Sequence, residues 1–337
     1  MAGEHHSLGF AERTRARRKR AARSRIPRVF AVLFFAVFSA LVLAAPPPAD
    51  SSGSETAQRI LLDEWGVSIE FREADRKVAS EVASICRKTI PGLALQLRLA
   101  AIQPFRVFLL SDVRVYEERT GLTLPSWGVA FAFPANDIML VDVGRATKEW
   151  DTLDKVIPHE LSHLLLHQRA GDVPFPLWFM EGLAQWQAGE WTVMESWRLM
   201  EAVWGNRAPA LGQVVSYMPA EESRARDAYR ISYAAFQYRF EERTDRLGDF
   251  LDEVVRRGDF DQAFAAFWNE TEGQFGARFD EYIARKYSSR LMLFQTGPLF
   301  TFASVLFVFV FVRIWIRNRK RLKRMDAVDR GWPEGPE

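Results

Sequence analysis

The sequence predicts an α+β domain, with a small N-terminal mixed sheet leading into a helical C-terminal half, flanked by two membrane-spanning helices. Three observations carry that expectation. The first half holds short runs that alternate apolar and polar residues, whereas from Asp151 onward apolar residues recur at helical spacing. Two uncharged apolar runs stand near the ends, each bordered by basic residues. The 337 residues are 48% hydrophobic, enough to bury a large core.

Taken in order, residues 1–28 form a basic leader with nine Lys/Arg against two Glu. Residues 29–45 (VFAVLFFAVFSALVLAA) carry no charge and read as a signal-anchor span; VLAA at Val42–Ala45 keeps a cleaved signal peptide as the alternative. Residues 46–57, rich in Pro and Ser, read as a linker. The domain is expected over 58–290. In it, WGVSIEFRE (Trp65–Glu73) alternates as a strand, and ADRKVASEVASICRKTI has helical spacing with a stop at Pro91-Gly92. FRVFLLSD (Phe105–Asp112) reads as a second strand, followed by a short helix to Gly121. WGVAFAFP and IMLVDV, joined around Asn136-Asp137, read as a hairpin. The later helices break at GDVPFP, at WGNRAPALG and near Gly248 and Gly258.

A second span is expected over 296–316, with 317–337 as a basic tail. About 20 apolar residues at 1.5 Å each match a hydrocarbon core of roughly 30 Å. Basic flanks mark the cytoplasmic side, so both termini are expected in the cytoplasm. The domain then lies outside, in a protein of the cell membrane whose partners are the bilayer and a peptide or protein of the cell envelope. The net charge of +2 divides into +7 over residues 1–28, +4 over 313–337 and −9 over 29–312. An acidic centre argues against nucleic acid as a partner. Cys86 is the sole cysteine, which excludes an intramolecular disulfide, and it sits in an apolar register as a core residue.

The chemistry concentrates in VIPHELSHLLLHQ (Val156–Gln168). His159-Glu160-Leu161-Ser162-His163 is H-E-x-x-H. On a helix, residues four apart lie one turn apart and about 40° round, so both imidazoles reach one ion. Neutral imidazole suits Zn²⁺, and Glu160, rotated by about 100° from His159, borders the site as a general base for a zinc-bound water. Asp151 is a plausible N-cap with Asp154 as its capping-box partner. Pro158 removes a helical N–H, so a kink or a helix restarting there is expected. His167 lies about 12 Å from His159 along the axis, too far to share the ion. The third ligand is expected from PLWFMEGLAQW (Pro176–Trp186), where Glu181 stands 18 positions after His163 on a second helix, and Gly182 and Ala184 allow close packing.

These residues resemble the gluzincin zinc metallopeptidases, the thermolysin and aminopeptidase N class, and within it the peptidase-MA-like domains of bacterial proteins. HELSH, WFMEGLA and AYRISYAAFQYRF (Ala228–Phe240) carry the resemblance, which covers roughly residues 60–287 and is strongest over 150–240. It implies a zincin-like fold with one Zn²⁺ per chain on His159, His163 and Glu181, and Glu160 as general base. It also implies that WGVAFAFP lines the cleft and pairs with an extended peptide. A tyrosine of the helical half is implied as oxyanion donor; Tyr229 fits, being followed three positions on by small Ser232, and Tyr233 is the alternative. Two departures stand out. Where thermolysin-like enzymes have an Asp four residues after the third ligand to orient a histidine, this chain has Gln185, and the G-x-M-E-N exopeptidase signature is not visible. The expectation is therefore a zinc peptidase, endopeptidase rather than aminopeptidase. Its rival is a non-hydrolytic peptide-binding or scaffold module that keeps the fold.

Overall fold

The computed structural model describes residues 58–121, 124, 128–146, 153–216, 219, 221–241, 245–287, 302–317 and 319. They fall into two compact units divided after Asp280. The leader, the apolar run at 29–45, the linker, Asp151 and almost all of the basic tail lie outside the described residues.

Five strands form one sheet in the order β1-β2-β3-β5-β4: β1 (Gln58–Leu62), β2 (Val67–Phe71), β3 (Arg106–Leu110), β4 (Ala130–Phe133) and β5 (Ile138–Asp142). The inner pairs β2–β3 and β3–β5 are parallel, and the outer pairs are antiparallel. The inner strands are apolar almost throughout because both faces are covered; Val67, Ile69, Val107, Met139, Leu140 and Val141 are fully buried. β4 and β5 form the expected hairpin over a tight turn, Pro134–Asn136, closed by Asp137 at φ 53°. β1 was not expected.

Helix α1 (Arg76–Gln96) crosses over between β2 and β3. It does not stop at Pro91-Gly92 as expected, but runs through both. An interior proline costs about 3 kcal/mol. Beyond it, Leu93 and Leu97 are 3% and 0% exposed, and burying two leucines stabilises by roughly 3–6 kcal/mol. Tertiary burial wins. Two short helices complete this half: α2 (Val113–Thr120), capped by the Asp112 side chain, and α3 (Val143–Ala146).

The helical half comprises α4 (Leu153–Ala170), α5 (Leu177–Ala188), α6 (Val193–Trp204), α7 (Glu222–Phe240), α8 (Arg246–Arg257), α9 (Phe260–Trp268) and α10 (Glu272–Lys286). α4 lies against α1 and β4, and α5 is packed between α4 and α7. Trp178, Phe179, Phe236, Phe240, Phe250 and Phe264 build a fully buried aromatic core, and Trp178 spends its one donor on Glu272 Oε1 at 2.7 Å. α4 passes through Pro158 without restarting, contrary to one of the two expectations for that residue.

The described residues are thus mostly helical with a small mixed sheet, and the flanking membrane spans are a correction. No helix among them is long and apolar enough to cross a membrane. Residues 302–317 are helical. The expected span over 296–316 counted residues 296–301, which lie outside the described residues, and let Arg313 pass as interfacial. The two-span topology and the cell-membrane location drawn from it are not supported.

Candidate metal centre

α4 carries His159 and His163 on one face because four residues make just over a turn. Leu161, Leu164 and Leu165 on its other sides are fully buried, which fixes the rotation of the helix. α5 starts after a six-residue connection and brings Glu181 across to them. Glu181 Oε2 is 3.3 Å from His159 Nε2 and 3.8 Å from His163 Nε2. The three prospective ligand atoms all lie within 4.8 Å of one another. Buried Glu181 Oε2 accepts no hydrogen bond of acceptable geometry. A buried carboxylate oxygen without a donor is costly, and a divalent cation satisfies it. Two imidazoles and a carboxylate are a donor set that suits zinc. The residues present therefore fit the metal.

Gly182 is what lets α5 come this close to α7. A Cβ there would stand 2.5 Å from Ser232 O and 2.6 Å from Phe236 Cβ. Gln185, at the position where the resemblance leads one to look for an Asp, is hydrogen-bonded to main chain instead of to a histidine. Its Nε2 donates to the carbonyls of Glu181 (3.1 Å) and Tyr229 (2.9 Å), tying α5 to α7.

Glu160 faces the hairpin. Asp142 N donates to Val129 O at 2.9 Å, and Ala130 pairs with Val141 in the β4–β5 register. The ladder bonds consequently fall at Val129, Phe131 and Phe133, and the backbone polar groups of Ala130 and Ala132 face the open edge. One of them is used: Ala132 N donates to Glu160 Oε2 at 2.7 Å. Burial pushes the Glu160 carboxyl up to about 7, against the lowering effect of His159 and the Ala132 amide. Burial pulls His163 down to about 4. Burial alone would lower His159 too, but the carboxylates of Glu190 and Glu181 outweigh it and hold its pKa well above the ordinary value. Glu181 is raised by burial, yet the two histidines lower it overall. A cluster that draws a proton onto an imidazole between two carboxylates is electrostatically arranged for a cation.

Tyr229, on α7, has its ring centroid 6.5 Å from that of His159. Burial, then the carboxylates of Glu181, Glu160 and Glu190, raise its phenol well above 10, so it keeps its proton. Tyr233, one turn on, instead stacks flat on Trp191 at 4.2 Å. His167 lies in the last turn of α4, outside the group of prospective ligands. Sequence reasoning missed Glu190, whose Oε1 is 2.8 Å from His159 Nδ1.

No protein-family model matches the chain. It is 27% identical over 167 residues to an uncharacterized protein, YhcO, of Bacillus subtilis (strain 168). That stretch covers 45% of this chain and 48% of the relative, so the chain spans about half the length of the protein it matches.

Proposed function

We propose that the protein is a zinc-dependent peptidase of the gluzincin type, acting within extended peptide segments. The observation that carries this reading is the convergence of His159, His163 and Glu181, with buried Glu181 Oε2 standing 3.3 Å and 3.8 Å from the two Nε2 atoms and accepting no hydrogen bond of acceptable geometry. Zinc, when bound, supplies a Lewis acid that brings the pKa of water towards about 7. The chain's own residues divide the remaining work. Glu160 accepts the proton of the attacking water and returns it to the leaving amine. The Ala132 amide aims its carboxylate. Tyr229 holds its phenolic proton and offers it as a hydrogen bond where negative charge develops on the substrate oxygen. The edge-facing N–H and C=O of Ala130 and the C=O of Ala132 supply main-chain partners for a peptide lying along β4, which favours backbone recognition over one particular side chain.

The test is hydrolysis of internally quenched peptides by the purified protein with zinc, with a chelator, and as Glu160→Gln. Chelator-sensitive cleavage that Glu160→Gln abolishes while keeping its zinc is the expected result. Unit zinc content with no cleavage of any peptide would move the protein to a non-hydrolytic, peptide-binding role.

A further inference from the structure

We propose that Glu190 is the positioning residue for His159, while Gln185 ties α5 to α7. The inference rests on the zinc-site reading above and assigns a residue that lies nine positions after Glu181, on the far side of a helix end.

Three features hold the Glu190 carboxylate at the imidazole. α5 ends in a left-handed residue, Gly189 at φ 63°. The next amide, Glu190 N, turns back to Gln185 O at 3.1 Å, while Gly189 N bonds Trp186 O at 3.2 Å. This is the double closure of a Schellman turn, and it sets the direction in which the chain leaves the helix. Immediately after, Trp191 lies flat on Tyr233 and donates its Nε1 to Ser196 Oγ at 2.9 Å. Glu190 thus sits between two pinned residues. Its Oε1 meets His159 Nδ1 at 2.8 Å, the nitrogen that faces away from Glu181.

The chemical consequence concerns the tautomer. With a cation in the site, a carboxylate at Nδ1 would keep the one ring proton on that nitrogen and leave Nε2, which faces Glu181, as the ligand atom. It also stops rotation of the ring, so Nε2 is presented in one direction. Gln185 cannot do this. Its amide nitrogen is committed to two main-chain carbonyls on α5 and α7, a use an Asp could not serve because a carboxylate has no donor.

The experiment measures zinc affinity by competition with a chromogenic chelator, alongside ¹⁵N–¹H spectra of the His159 ring. Glu190→Ala should weaken zinc binding by about 10- to 100-fold and abolish the long-lived Nδ1–H signal of His159. Glu190→Gln, whose amide oxygen still accepts that proton, should keep the tautomer and lose less affinity. Circular dichroism should be unchanged in both. Gln185→Leu should lower the thermal midpoint while keeping the Nδ1–H signal. Zinc affinity and tautomer unchanged in Glu190→Ala would overturn the assignment of Glu190 alone. A wild-type protein that binds no zinc would overturn the metal-site reading, and this proposal with it.

Discussion

Gly182→Ala separates the close approach of α5 and α7 from ordinary helix packing. The added Cβ would stand 2.5 Å from Ser232 O and 2.6 Å from Phe236 Cβ, roughly 1 Å inside the contact distance of about 3.5 Å. The first of these atoms belongs to the α7 backbone, so no rotamer change relieves it and the helices must part. Overpacking of this kind costs about 1–3 kcal/mol, and the backbone contact places Gly182 near 3. Against it, replacing a helical glycine with alanine gains about 1 kcal/mol. The clash wins by about 2 kcal/mol, or roughly 4–8 °C in the thermal midpoint of a domain this size. Gly276, inside α10, provides the contrast: a Cβ there meets nothing nearer than Leu211 at 3.9 Å, so Gly276→Ala should be neutral or stabilising. Urea unfolding of the two variants at constant m-value is the assay. A Gly182→Ala protein as stable as the wild type would refute the account of how α5 is seated, and with it the explanation of Glu181's position.

Elemental analysis of purified variants should find zinc falling sharply in His163→Ala and Glu181→Ala but near one per chain in His167→Ala, which stands outside the ligand group; equal loss in all three would mean the third ligand is misassigned. Tyr229→Phe should lower kcat by at least about tenfold with KM little changed, the pattern of an interaction made only in the transition state, whereas Tyr233→Phe, whose ring is stacked on Trp191, should stay active. The Cys86 thiol is pushed up by burial from 9.0 to about 12. Below pH 9 it is protonated in both folded and unfolded chains. Between there and about 12 only the unfolded chain releases its proton, so stability should fall by an extra ~1.4 kcal/mol per pH unit relative to Cys86→Ala. Parallel stability curves for wild type and Cys86→Ala from pH 8 to 10.5 would refute it.

The two halves of the site differ in how far they can be read without coordinates. His159 and His163 are a local pattern: helical periodicity alone puts them together, and the buried leucines between and after them fix the face. β2, β3 and the β4–β5 hairpin were legible for the same reason, as period-2 runs bounded by turn residues. The spans were not. An apolar run reports hydrophobicity, but a membrane helix also needs continuous helical length, and no helix among the described residues is long and apolar enough to cross a membrane. Pro91 misled in the opposite direction, since a local breaker was read without the weight of Leu93 and Leu97 beyond it.

Glu190 shows where local rules end. From Glu181 to Gln185 the helix period determines which side chains share a face, so an orienting carboxylate is naturally sought one turn along. Residue 185 is indeed on the inner side of α5, 6% exposed. But α7 is drawn so near by Gly182 that what this position meets is main-chain carbonyl oxygen, which demands a donor and repels a carboxylate. The close approach therefore disfavours an Asp at 185, whose carboxylate has no proton to give those carbonyls, and the carboxylate that meets His159 Nδ1 comes from beyond the end of the helix. Gly189 reverses the chain there, so that a residue more than two turns away in sequence arrives at His159 Nδ1. One glycine sets the helix spacing and another sets the return. Between them they decide which acidic residue stands behind the histidine.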